Sequence, residues 1–344
     1  MRFILLLSSV LCVAGTPNGK AIVELGVRRH AALSALDRLE AALSNTDASA
    51  IVLRLASEGS EEADEDGRLL SSLLPRERVE LLRREARVRH SLKASRIPVI
   101  AIADGPISGA SAALFSAAKR RVCTERTTYA LRECREGRQS PAFGALDALA
   151  SLPQPHVAMA VALGAIKLGP HDCMELTVAT HFAATEALPD LMRELRASPV
   201  DYYDVPFSRR AARLPPSYLV PLFAAEMSGP LNIALEACFG AHVLDVLDVR
   251  VRLAARQQLA CSHVCALTED PTGIHIRTRE RAATVCDTLS AASTALADSS
   301  PHALAATFVA FRAALARQQR IQGPSWQCKS RLLRSSSDTR GLQT

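Results

Sequence analysis

Hydrophobic and polar positions recur along this chain in two rhythms, one of strands and one of helices. Val99-Ile100-Ala101-Ile102-Ala103 is apolar without a break, which predicts a strand buried on both faces. A second strand is predicted over 49–55. A third, over 20–27, follows the Asn18-Gly19 turn and is expected to pair back onto 3–13 as a hairpin. Between these runs the spacing becomes helical. Leu33, Leu36, Leu39 and Leu43 recur every three or four residues and predict a helix over 30–43. An Arg-rich amphipathic segment over 70–92 reads as one helix, or as two broken near Pro75. Beyond the central strand the pattern predicts a short strand over 128–131 and helices over 156–168 and 170–178. The stretch 199–206, with its prolines, then reads as a link. After it the rhythm is helical only, over 218–239, 244–259, 277–297 and 301–320, with a polar loop at 262–274. Strands alternating with helices, followed by helices alone, predict an α/β fold with an α-helical C-terminal region.

The apolar run at 99–103 ends in Asp104-Gly105-Pro106, a turn-forming cluster. Ser108-Gly109-Ala110-Ser111 then opens a helix reaching about residue 118. Small residues at such a corner admit a ligand to the backbone, and free N–H groups at a helix start can hold an oxyanion. A tightly packed strand-turn-helix without a ligand fits the same residues.

Composition adds bounds rather than an answer. A chain of 344 residues that is 48% hydrophobic can bury a large core, in one domain or two. Its net charge of +6 suits nucleic acid or an anionic ligand, or merely reflects an Arg-rich coding bias. Nine cysteines, odd in number and scattered, argue for a reducing compartment and against a disulfide framework. Cys261, His263 and Cys265 lie close together, but no second ligand pair stands at zinc-site spacing, so buried thiols and no metal are expected. Residues 1–15 read either as a secretory signal or as the first strand of the hairpin, and the hairpin favours the strand. No apolar run reaches the roughly 18 residues of a membrane span.

Three motifs carry a resemblance. PVIAIADGPISGAS at 98–111 resembles the PVIAxxDGxxxGGG element of the crotonase (enoyl-CoA hydratase/isomerase) superfamily. RVCTERTTYALRE at 121–133 is similar to the RVATERTxFAMPE run of 3-hydroxyisobutyryl-CoA hydrolases. Leu168-Gly169 and ATHFAATEALP at 179–189 resemble that subfamily's LKGxDxxxxGLATHFVPxxxLP stretch. The likeness is clear from about residue 20 to 200 and fades beyond. It implies a crotonase-like ββα spiral core over 20–200, helices over 201–322, a disordered basic tail over 323–344, and residues 1–19 as a strand or a remnant targeting segment.

The resemblance also implies chemistry. Backbone N–H groups of Ala63 and Ala110 would hold a thioester oxygen as it becomes an oxyanion, with Gly109 shaping the second loop. Asp66 would be the acid of the first loop, and Glu133 falls on the family's catalytic Glu. Read without the family, Glu133 is a surface carboxylate beside Arg132 and Arg135, and 58–66 is a solvated acidic loop. The chain departs from the pattern in three places. Asp64 and Glu65 replace glycines of the first loop, Ala110 and Ser111 replace glycines of the second, and 138–144 lacks the family's second acid. Two expectations follow. One is hydrolysis of a short-chain acyl-CoA in mitochondrial valine breakdown, with acyl-CoA as the partner, a homo-oligomer allowed, and no cofactor beyond the CoA of the substrate. The other is a catalytically silent crotonase-fold scaffold, such as a component of the mitochondrial ribosome's small subunit, and only this reading allows RNA or ribosome contact.

Overall fold

The computed structural model describes residues 11–15, 21–27, 32–44, 48–55, 73–131, 133, 145–152, 154–197, 230–239, 252–256, 258 and 276–322. In chain order its main elements are β1 (Leu11–Gly15), β2 (Ala21–Val27), α1 (Ala32–Ser44), β3 (Ala48–Leu55), α2 (Pro75–Ala94), β4 (Val99–Ala103), α3 (Gly109–Ala117) and β5 (Arg120–Cys123). There follow α4 (Ala145–Leu149), α5 (Pro155–Gly164), α6 (Pro170–Glu175), β6 (His181–Phe182), α7 (Leu188–Ala197), α8 (Pro230–Phe239), α9 (Ile276–Asp298) and α10 (Pro301–Gln322). The α/β class expected from the sequence is the one observed. Two compact units divide the chain. The first comprises Met1–Thr128 with Ala179–Arg213, and the second Tyr129–Val178 with Leu214–Thr344.

The first unit is built on a six-stranded sheet whose spatial order is the chain order, β1 to β6. β1 is antiparallel to β2, pairing Leu11 with Leu25 and Gly15 with Ala21; the other pairings are parallel. The hairpin therefore uses 11–15, while residues 3–10 lie outside the described residues. β4 is buried along its whole length, as its apolar run requires. On one face of the sheet Ala50, Val52, Ile100, Ile102 and Val122 pack against Leu188, Leu191, Met192 and Leu195 of α7. α1 packs on β2 and β3, and α3 on β4.

Pro75 begins α2 instead of breaking it, because the first helical position has no intrahelical use for an N–H. The Glu77 carboxylate accepts the Leu74 N–H at 2.8 Å and so caps that end. Leu81, Val88 and Leu92 form the buried stripe of α2. On its flank Arg84 bonds Glu40 of α1 at 2.6 Å and also reaches Asp37. The hydrogen bond from Arg84 holds the Glu40 carboxyl below its ordinary range. This network is largely exposed and is worth at most about 1 kcal/mol.

In the second unit, α5 is apolar on every side and is buried from His156 to Gly164. It packs against α4, α8, α9 and α10. It ends at Ala165 in the left-handed conformation (φ 48°), four residues before the sequence pattern predicts. A Cβ on Gly164 would stand 3.1 Å from the Cβ of Ala292 in α9. Gly164→Ala is therefore expected to destabilise the protein by about 1 kcal/mol: overpacking costs about 1–3 kcal/mol and better helix propensity returns about 0.5–1. A lowered urea midpoint at unchanged slope checks it.

Candidate active site

The corner after β4 is set by backbone geometry. Gly105 (φ 135°) and Gly109 (φ 55°) both take conformations that side-chain-bearing residues avoid. Ser108 is extended and occupies the N-cap position of α3, whose Ala112, Ala113, Leu114 and Phe115 are buried. The first intrahelical bond runs from Ala112 N–H to Ser108 C=O, so the N–H groups of Gly109, Ala110 and Ser111 belong to the first turn, whose donors the helix itself does not use. Ala110 has helical backbone, and the positive-φ non-glycine residues among those described are Ala165 and Thr177. Alanine thus fits where the resemblance has glycine, because this position needs no left-handed φ.

Asp104, which reads in the sequence as a turn former, anchors a polar corner. Its carboxylate accepts the Thr124 hydroxyl at 3.0 Å and the Thr185 hydroxyl at 2.8 Å, and lies 3.7 Å from Arg126. Thr127, fully buried, donates its hydroxyl to the Ala103 carbonyl at 2.6 Å and accepts the Thr124 N–H at 2.8 Å. The Glu125 carboxylate accepts the Thr185 N–H. Burial pushes Glu125 up, but its own backbone N–H and the Thr185 donors outweigh that and hold it below the ordinary range. A carboxyl depressed in this way contributes stability above its unfolded-state pKa and loses it as pH falls through the folded-state value. Thr180 closes the corner, exchanging hydrogen bonds with the Arg121 backbone at 2.8 Å and 3.1 Å.

Residues 121–128 and 179–189, which are parts of the two stretches that carry the hydrolase resemblance, are thus bonded to each other and to the end of β4. Their residue choices meet hydrogen-bonding demands of this corner. Cys123, within it, is fully buried, and burial pushes its thiol up to about 12. It is expected to resist alkylation at pH 8 in the native protein and to react on unfolding, as peptide mass spectrometry would show.

In the second unit Tyr129 and Leu168 exchange backbone hydrogen bonds at 2.9 and 2.8 Å, fixing the strand end that leads into buried Ala130 and Leu131. Glu133 follows. It is half-buried, and both of its carboxylate oxygens are shielded from solvent. The surface placement that its arginine neighbours suggest is therefore not the one observed. Asp147, the nearest downstream carboxylate to the missing second acid, is bound to Arg317 of α10 at 2.7 Å. Ala63 and Asp66, the rest of the acidic run, the 138–144 segment and the Cys261-His263-Cys265 group lie outside the described residues. Among the described residues no three His, Cys, Asp or Glu side chains gather where a metal ion could be held, and no helix is long and apolar enough to cross a membrane. Sequence reasoning missed Thr124 and Thr185 as partners of Asp104, and it missed Arg54, the exposed residue of the otherwise buried run Ile51–Leu55. The available signal for Arg54 was a lone cation in the apolar strand Ile51-Val52-Leu53-Arg54-Leu55.

The fold has clear counterparts among solved structures. A carnitinyl-CoA dehydratase from Mycobacterium thermoresistibile superposes with a TM-score of 0.61 at 16% identity, over 90% of this chain and 80% of that one. An enoyl-CoA hydratase from Rhodobacter sphaeroides 2.4.1 gives 0.55 at 17% identity, over 91% and 83%. At such identities these likenesses speak for the fold. No curated protein is similar enough in sequence to be matched. The family model described as enoyl-CoA hydratase/isomerase matches residues 33–322, most of the chain. The chain belongs to the enoyl-CoA hydratase/isomerase family.

Proposed function

We propose that this chain is a thioester hydrolase of the 3-hydroxyisobutyryl-CoA hydrolase type, acting on a short-chain acyl-CoA in mitochondrial valine breakdown. The acyl-CoA-processing fold is the frame, and the observation that carries the reading is the burial of the Glu133 carboxylate oxygens. A glutamate just beyond a buried segment, withdrawn from water, is an acid/base candidate; an ordinary surface glutamate is not so placed. In this reading Glu133 takes a proton from water as the water oxygen attacks the thioester carbonyl carbon. The carbonyl π electrons move to oxygen, where backbone N–H groups receive the charge. As the carbonyl re-forms, the C–S bond breaks, and the proton held by Glu133 goes to sulfur. Free acid and coenzyme A leave. The reaction needs no redox partner.

Thiol release from a panel of acyl-CoA thioesters, with 3-hydroxyisobutyryl-CoA among them, tests the assignment. Turnover of at least one short-chain thioester is the expected result. A scaffold role is the second reading, favoured by Asp64 and Glu65, whose charges would oppose an oxyanion. It predicts no turnover of any panel member and salt-sensitive co-sedimentation with ribosomal particles.

A further inference from the structure

On the face of the sheet covered by α7, charged residues follow the apolar ones at the ends of β3 and β4. β3 places Ala50, Val52 and Arg54 along that face, and β4 places Ile100 and Ile102 there, with Asp104 following. The register sets Val52 beside Ile100 and Arg54 beside Ile102. The charged residues thus fall at the carboxyl ends of parallel strands, where open α/β sheets commonly hold ligands. Across from them Leu188, Met192 and Arg196 recur every four residues and form one stripe along α7. Between these two edges lies a cavity of about 390 Å³, bounded by Arg54, Ile102 and Asp104 on one side and by Leu188, Met192 and Arg196 on the other. That volume is within the range of small-molecule sites.

The lining decides what chemistry fits. Asp104 is engaged with Thr124 and Thr185 and is balanced by Arg126, which is not part of the cavity wall. Arg54 therefore brings to the cavity a positive charge that Asp104 does not take up. Arg54 is the charged residue of a strand whose neighbours Ile51, Val52, Leu53 and Leu55 are all buried, and it is itself exposed. Ile102, Leu188 and Met192 supply an apolar strip beside that charge. A planar guanidinium matches a carboxylate or a phosphate through paired N–H donors.

We propose that this cavity binds a small organic anion: a short aliphatic chain on the Ile102–Leu188–Met192 strip, its carboxylate or phosphate on Arg54. The site is independent of the hydrolase reading, since it includes neither Glu133 nor Ala110. Calorimetric titration of the full chain with hexanoate, butyl phosphate, acetate and inorganic phosphate at constant ionic strength tests it. Hexanoate or butyl phosphate is expected to bind saturably, at least tenfold tighter than acetate and inorganic phosphate, and the tighter of the two names the head group. Arg54→Gln should weaken that binding at least tenfold with unchanged circular dichroism, and Arg54→Lys should weaken it less. Glu133→Gln should bind as the unaltered protein does. The proposal is overturned if neither organic anion saturates, if inorganic phosphate or acetate binds equally well, if Arg54→Gln binds undiminished, or if Glu133→Gln abolishes binding.

Discussion

Glu133→Gln is expected to lower the rate of coenzyme A release by about 10²- to 10⁴-fold, the usual contribution of a positioned general base. The substitution keeps the shape of the side chain and removes its ability to take a proton. KM should change little, because the lost interaction belongs to the transition state more than to substrate binding. A rate loss accompanied by an unchanged chemical denaturation midpoint separates a chemical role from a structural one. Turnover that persists in Glu133→Gln would remove this residue from the mechanism and leave the family assignment intact.

The second large effect concerns stability. Thr127→Val is expected to destabilise the protein by about 2–4 kcal/mol, because it strips partners from two buried backbone groups at once. The Ala103 carbonyl at the end of β4 loses its 2.6 Å donor, and the Thr124 N–H loses its 2.8 Å acceptor. Each such orphaned group costs about 1–3 kcal/mol, and the isosteric valine leaves no room for water to replace them. Thr127→Ser keeps the hydroxyl and should cost less than the valine variant. Urea unfolding of the three proteins checks the order. If valine and serine variants unfolded together, the hydroxyl bridge would not be what holds this corner.

These two residues also show how much of the site was legible beforehand. The apolar run at 99–103, the Asp104-Gly105 turn and the small residues at 108–111 announce a buried strand, a sharp corner and a helix start, and all three are observed. Gly105 was legible as part of a turn and Gly109 as a small residue of the helix start; their positive φ angles, which only the structure shows, are why glycine stands at both. The threonines of the 124–128 run were legible only as part of a motif. Their roles come from partners distant in sequence, Ala103 and Asp104 on one side and Thr185 on the other, and no local pattern encodes such pairings. The β6–α7 segment was likewise visible only as a motif, because β6 is a two-residue strand, too short to show alternation.

Periodicity along the chain was enough to determine the class of the fold and the strand-to-helix corner, because burying an apolar stripe and sparing a tight turn a clash are local requirements. Which face of the sheet α7 would cover depends on how separate elements meet. So do the burial of the Glu133 carboxylate that its arginine neighbours argue against, and the place of Arg54 on a cavity edge. One residue's rhythm reports that it is covered, never by what. Those outcomes were decided when the chain closed on itself.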